Sequence, residues 1–130
     1  MVIDSSALLS ILLAEDDAPA MAAAILADNR RLISAITLLE TSVVIEAKKG
    51  PAGGREFDLL LHVAAIEVAN MTPEQAELAR EAYRRYGKGR HRAKLNLGDC
   101  CSYALARHSG EPLLFKGEDF SQTDIPTVTI

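Results

Sequence analysis

The sequence predicts an α/β protein: a three-layer α/β/α sandwich built on a short central parallel sheet. Three observations lead there. Short runs that are apolar on both sides of the backbone recur along the chain, as in Val2-Ile3, Leu32-Ile33 and Leu113-Leu114-Phe115. Strands of that kind are buried on both faces, which is the condition of a parallel sheet. Longer helix-prone stretches separate them, with caps at their starts or glycine stops at their ends, so strands and helices alternate. Finally, the 130 residues are 48% hydrophobic and 25% charged. They make one domain, residues 1–130, that buries about two-thirds of its unfolded surface and needs no staples.

The elements follow in order. Val2-Ile3 is the first strand and ends at Asp4. Ser5 and Ser6 open an apolar helix, Ala7–Leu13. Asp16 and Asp17 offer caps for a second helix reaching Asp28, rich in Ala, Met and Leu. Arg31–Ser34 is the second strand. Thr37 and Glu40 have capping-box spacing and open a helix to Lys49, which Gly50-Pro51-Ala52-Gly53-Gly54 stops. Phe57–Ala65 is a further helix and Ile66–Val68 a strand. Thr72-Pro73-Glu74 combines a cap, a first-turn proline and an acid, starting a helix to Tyr86. Gly87–Lys94 is a basic loop. Gly98-Asp99 opens a helix that ends at Ser109-Gly110. Pro112–Phe115 is a strand, Gly117–Thr123 a turn-rich loop, and Thr127–Ile130 a terminal strand. No internal repeat or low-complexity tract interrupts the pattern.

The charge is unevenly spread. The chain carries a formal −4, yet Arg84, Arg85, Lys88, Arg90, Arg92 and Lys94 lie together with His91 and no acid, which leaves the rest of the chain at −10. Separated fields of this kind attract phosphates at one place and repel them elsewhere. A solvated helix end and loop is the other reading of the segment. No apolar run approaches a membrane span, and no basic leader opens the chain, so a cytoplasmic protein without membrane association is expected. The adjacent Cys100 and Cys101 do not readily bridge each other and have no partners for a zinc site, in keeping with a reducing compartment.

Four acids stand at element boundaries. In open α/β sheets, functional groups gather beyond the carboxyl ends of the strands. Asp4 directly follows the first strand, Asp119 lies past Pro112–Phe115, Asp99 begins a helix, and Glu40 sits in the first turn of another. Brought together, four carboxylates repel and raise one another's pKa values unless a cation joins them. Of the basic residues only Lys116 is placed beside any of them. A divalent metal is the natural partner, and an all-oxygen set selects Mg²⁺, or Mn²⁺. Such a metal polarises a phosphoryl oxygen and lowers the pKa of a water that attacks a phosphodiester. Each acid also has a local explanation: Asp4 as an N-cap, Glu40 as half of a capping box, Asp99 as complement to a helix N-terminus, Asp119 as a turn residue. The set, rather than any member, points to chemistry on a phosphodiester, with the basic segment Arg84, Arg85, Lys88, Arg90, Arg92 and Lys94 holding backbone phosphates.

The same residues resemble the PIN-domain ribonucleases, and among them the VapC toxins of bacterial toxin–antitoxin pairs, over nearly the whole chain. Met1-Val-Ile-Asp4-Ser-Ser-Ala-Leu8 is similar to the family's opening strand, aspartate and small hydroxyl residues. Ser34-Ala-Ile-Thr-Leu-Leu-Glu40 is similar to its second acidic motif. Leu97-Gly-Asp99-Cys100, followed by Tyr103-Ala-Leu-Ala106, is similar to the third, and Pro112-Leu-Leu-Phe-Lys-Gly-Glu-Asp119-Phe120, followed by Thr123-Asp124, to the fourth. The resemblance implies a PIN-like fold and an acidic quartet of Asp4, Glu40, Asp99 and Asp119 around Mg²⁺, with Ser6, Thr123 and Asp124 as polar supports. It also implies RNA cleavage, neutralisation by a VapB-type antitoxin, homodimers, and larger toxin–antitoxin assemblies that reach operator DNA only through the antitoxin. A PIN-like module that binds RNA or protein without cutting is the alternative, and intact acids at all four positions favour the enzyme.

The remaining motifs carry less. The antitoxin's acidic tail competes with RNA as the partner of the basic segment. Tyr83 and Tyr86 border that segment, where they stack on bases or pack the helix. His62, His91 and His108 have no ligand spacing. Cys100 and Cys101 read as small buried side chains rather than nucleophiles. Gly53-Gly54 lacks the Lys-Ser/Thr of a P-loop. A phosphoacceptor domain wants a second acid after the first strand, where this chain has Ser5-Ser6. The small-residue face of Ala18–Ala27 suits the core, or a helix of a twin chain or antitoxin.

Overall fold

Alternation along very short strands builds two cores in this protein. The computed structural model describes every residue from Met1 to Ile130. Four parallel strands, β1 (Val2–Ile3), β2 (Leu32–Ser34), β3 (Glu67–Ala69) and β4 (Leu113–Leu114), lie in the order β3-β2-β1-β4. Val2 is in register with Leu32 and with Leu113, and Ile3 with Leu114. Successive side chains point to opposite faces, so Val2, Leu32 and Leu113 enter one core while Met1, Ile3, Ile33 and Leu114 enter the other.

Helices close both faces. The first core is completed by α4 (Pro73–Tyr86) and α5 (Leu97–Ser109), through Ala79, Ala82, Tyr86, Tyr103 and Leu105. The second is completed by α1 (Ser5–Leu12), α2 (Ala18–Ala27) and α3 (Ala35–Val63), through Leu8, Leu12, Met21, Ile25, Ile45 and Phe57. This is the three-layer α/β/α arrangement around a parallel sheet. No helix is long and apolar enough to cross a membrane. Cys100 and Cys101 are free and buried.

The local departures have identifiable causes. The helix that begins at Ala35 is broken at Gly50, where the sequence expects it to stop, but only by a kink: a second helical segment follows directly and runs to Val63, and α3 comprises both. Gly50 alone leaves helical geometry, at φ 67° and ψ −161°, and Pro51 resumes the helix at once. A proline at a first helical position lacks only a donor that would go unused there, so the stretch is a corner within α3 and not a loop. The start of α3 is capped by Ser34, whose Oγ accepts from the Ile36 N–H at 3.1 Å. The expected Thr37–Glu40 capping box is therefore absent: Thr37 is buried, and Glu40 carries no capping duty. Asp17 stands before α2, but its carboxylate accepts from the Ser10 hydroxyl rather than capping the helix. The third strand is at the edge, with Glu67 and Val68 exposed rather than buried on both faces. Thr127–Ile130 forms a single parallel bridge to Leu113 and no strand, since Pro126 beside it has no N–H to extend a ladder.

Candidate active site

The strand order makes the site. The chain leaves β1 toward β2 on one side and returns at β4 on the other, so the carboxyl ends of β1 and β4 flank a topological switch point, where open α/β sheets place their ligands. Asp4 follows β1 directly and is tied to β4 by its own N–H, which donates to the Leu114 carbonyl at 2.9 Å. It is only 2% exposed. Its Oδ2 accepts from the Ser6 N–H at 3.1 Å, which caps α1, and from the Ser6 hydroxyl at 2.7 Å. Its Oδ1 accepts from the Ser102 hydroxyl of α5 at 2.6 Å. Asp4 thus caps α1, and the same carboxylate stands at the switch point, so one position serves both arrangements.

Asp99 also takes part in a cap. Asn96, two residues upstream of the expected start, caps α5. Its Oδ1 accepts from the Asp99 N–H at 2.9 Å, and Asp99 Oδ2 accepts from the Asn96 N–H at 3.0 Å. Burial pushes the Asp99 carboxyl up to about 7; the Asn96 N–H opposes this, and the charges of Asp4, Asp119 and Glu40 add to it. The four acids therefore share one field, though they come from four separate segments. Glu40 is brought in by α3, and its carboxylate lies against Gly98: a Cβ there would come within 2.5 Å of Oε2. Asp119 is exposed at the head of the 3₁₀ turn Phe120–Gln122, with no side-chain capping bond.

No protein cation neutralises this field. None of the ion pairs in the structure includes Asp4, Glu40, Asp99 or Asp119. Lys116, their one basic neighbour in sequence, turns away to Glu15 at 3.1 Å and Asp17 at 3.4 Å, while its backbone N–H donates to Ser6 Oγ at 3.0 Å. The donors here are carboxylate and hydroxyl oxygens, the chemistry of a hard cation. The neighbouring thiols of Cys100 and Cys101 are buried. Burial pushes Cys100 up to about 11, with Asp99 and Cys101 adding to it, and burial with Glu40 raises Cys101. As they stand, no three His, Cys, Asp or Glu side chains form a group that could hold a metal. Asp4 is occupied by two serines and Asp99 by its cap.

The basic segment divides into engaged and free cations. Arg85 donates to Asp124 at 3.4 Å and to the Tyr86 hydroxyl at 2.8 Å. Arg90 lies 5.3 Å over the Tyr83 ring. Gly87 bridges to Leu95, and Ala93 and Leu95 are fully buried, so the loop is anchored. The His91 ring packs edge-on against Tyr86, and its Nδ1 accepts from the Ala93 N–H. Arg84, Lys88, Arg92 and Lys94 are exposed.

Comparison with known proteins gives a consistent picture. The family model for the PIN domain matches residues 1–126. The chain is 58% identical over 130 residues to Ribonuclease VapC30 of Mycobacterium tuberculosis, covering all of this chain and 99% of that one. It is 56% identical to Ribonuclease VapC of Mycolicibacterium smegmatis, over 98% of this chain and 99% of that one. The chain belongs to the PIN-domain family, among its VapC ribonucleases. The PIN fold is matched in three dimensions by VapC20 of M. tuberculosis, described as a sarcin-ricin loop cleaving toxin. The TM-score is 0.80 at 17% identity, over 99% of this chain and 98% of that one. A toxin–antitoxin complex from Klebsiella pneumoniae matches with a TM-score of 0.73 at 20% identity, over 98% and 95%.

Within this PIN domain the expected supports separate. Ser6 contacts Asp4. Thr123 closes its own turn, donating to the Phe120 carbonyl at 2.7 Å and accepting from the Ile125 N–H at 3.3 Å. Asp124 is bound by Tyr103 at 2.6 Å and Arg107 at 2.6 Å. Sequence reasoning missed Ser102. The signal was available in its spacing, because Ser102 is three residues after Asp99 and so shares its side of the helix. Thr37 stands in the same relation before Glu40.

Proposed function

We propose that this chain is an endoribonuclease toxin that works with a divalent cation, Mg²⁺ or Mn²⁺, and is neutralised by a cognate VapB-type antitoxin. One observation carries the reading: the Asp99 carboxyl sits in the field of Asp4, Glu40 and Asp119, and no lysine or arginine is paired with any of them. Like charges gathered at a sheet switch point without a counterion call for one. Asp4, Glu40, Asp99 and Asp119 would hold the cation, which supplies polarisation of a phosphoryl oxygen and a water of lowered pKa. Mg²⁺ usually takes one or two carboxylates and keeps several waters, so a closed set of three ligands is not required beforehand.

The protein's own part is positioning. Ser6 and Ser102 fix both oxygens of Asp4, and Gly98 leaves the space into which the Glu40 carboxylate fits. Arg84, Lys88, Arg92 and Lys94 supply free positive charge for backbone phosphates, with Arg90 on Tyr83 at their edge. The half-exposed Tyr83 ring is available to an unpaired base. Family membership supports homodimers and a larger assembly with the antitoxin. An apolar groove of Ile11, Leu12, Leu59, Leu60 and Val63 is a surface such an assembly would cover.

Antitoxin-free protein incubated with total RNA and Mg²⁺ is expected to cleave it, and Asp4→Asn and Asp99→Asn to lose that activity. Absence of cleavage by the wild type, or equal cleavage by the variants, ends the enzyme reading. Binding without cutting would instead place the chain among non-catalytic PIN-like modules.

A further inference from the structure

We propose that Thr37 and Ser102 form a hydroxyl relay that positions the Asp4 carboxylate and ties together the three elements carrying Asp4, Glu40 and Asp99; the proposal rests on the acidic-site reading above.

The direction of the relay follows from counting hydrogens. Ser102 and Thr37 are 0% and 1% exposed. Ser102 Oγ lies 2.6 Å from Asp4 Oδ1, and Thr37 Oγ1 lies 3.4 Å from Ser102 Oγ. An ionised carboxylate only accepts, and a serine hydroxyl has one hydrogen. Ser102 spends that hydrogen on Asp4, so Thr37 must be the donor in the longer contact. The order is Thr37 to Ser102 to Asp4, and each bond polarises the next.

A helical serine or threonine has a cheaper option, which is to bond the carbonyl one turn back. Ser42, on the same helix as Thr37, takes it and donates to the Leu38 carbonyl at 2.7 Å. Thr37 and Ser102 point their hydroxyls into the space between α3, α5 and β1 instead. Thr37 stands three residues before Glu40 and Ser102 three after Asp99, so the relay sets the spacing of both helices against Asp4. Ser6 holds the other oxygen of Asp4 from within its own helix start. Without Ser102 the carboxylate is gripped at one oxygen only and is free to turn. Thr37 and Ser102 are positioning residues, since they act through Asp4.

The test is Mn²⁺ uptake by the antitoxin-free full chain, read by titration calorimetry, with RNA affinity in EDTA and the unfolding midpoint as controls. Ser102→Ala is expected to weaken Mn²⁺ binding about 10-fold or more, the scale of lost outer-shell support, while RNA affinity in EDTA stays unchanged. Thr37→Val, which keeps the shape and loses the donor, should weaken it less, and Thr37→Ser, which keeps the donor, should match the wild type. In the Ser102→Ala background Thr37→Val should add nothing, because the relay is already cut. Wild-type affinity in a folded Ser102→Ala protein overturns the relay, as does simple additivity of the two losses. If Ser102→Ala does not fold, the Thr37 pair decides, and equal behaviour of Val and Ser overturns the relay. A wild type that takes up no Mn²⁺ removes the acidic-site reading itself, and the relay with it.

Discussion

Gly98 holds its place through space rather than backbone freedom. It lies inside α5, and a Cβ there would fall 2.5 Å from Glu40 Oε2 and 2.6 Å from Oε1. The obstacle is the far end of a flexible side chain, so the helix can absorb the change by moving Glu40. Alanine is also the better helix former, by up to about 1 kcal/mol. Gly98→Ala should therefore leave the thermal midpoint unchanged or raise it. Cleavage should still fall by about 10²-fold, the scale expected when a reacting group is displaced by about an ångström. A variant that melts like the wild type and cleaves like it would detach Glu40 from catalysis. At this scale the sequence was informative about the acids and about Ser6, and gave only a faint spacing signal for the other groups that grip them. Asp4, Asp99 and Asp119 sit at element boundaries, where polar residues are conspicuous. Ser102 and Thr37 lie on buried helix faces, and their spacing of three from Asp99 and Glu40 gains meaning only once the partner, 98 residues away in the case of Ser102, is known.

Among the elements, the loop that presents Asp119 depends on a clamp outside the site. Asp124 Oδ1 accepts from Tyr103, and its Oδ2 accepts from Arg107, which also donates to the Tyr103 hydroxyl at 2.9 Å; Arg85 closes the group. Burial works against the Asp124 charge, but the bonds from Tyr103 and Arg107 and the charges of Arg107 and Arg85 outweigh it, holding the carboxyl below its ordinary 3.8. A depressed folded pKa stabilises the protein above the unfolded value, and that contribution is lost as pH falls through the folded value. Urea unfolding at pH 5 and at pH 3 should therefore show a smaller loss of stability in Asp124→Asn than in the wild type; equal losses would mean that the clamp carries no linkage. The corner in α3 gives a second check. A Cβ at Gly50 meets nothing within 4 Å, yet φ 67° with ψ −161° is glycine territory. Gly50→Ala should cost about 1–3 kcal/mol from backbone strain alone, read as a shift in the urea midpoint at constant slope. These two features also show where sequence reading stops. The order of strands and helices was legible because β1, β2 and β4 are short buried runs, while the edge strand β3 is not, and Thr72-Pro73 and Ser109-Gly110 mark their helix ends as local chemistry requires. Whether Gly50-Pro51 ends a helix or turns one is decided by packing on the second core, and a local window does not contain that information. The Thr37–Glu40 spacing misled for a similar reason, since Ser34 three residues earlier is an equally good cap and lies at the end of β2.

Over the whole molecule, charge is sorted into an acidic cluster with no protein counterion and a basic segment with several unpaired cations, on a chain of net −4. The two parts should separate in their response to salt. Arg85 is held by Asp124 and Arg90 by Tyr83, so removing either disturbs packing as well as charge. Arg84, Lys88, Arg92 and Lys94 are exposed and free of ion pairs, and their replacement by alanine takes the chain from −4 to −8. Each phosphate contact with a single strand contributes about 0.7 to the slope of log affinity against log salt, so loss of all four contacts should flatten that slope by about 3. The measurement uses a single-stranded RNA, the Asp4→Asn background and EDTA, so that cutting and metal uptake do not contribute. Arg85→Ala gives the contrast: it removes one cation from the same segment and should lower the unfolding midpoint, which the fourfold variant should leave near that of the wild type. If the slope stays unchanged while the fold is intact, the free cations face something other than RNA. An acidic antitoxin tail is then the partner to titrate, because it would meet the same four charges with carboxylates instead of phosphates.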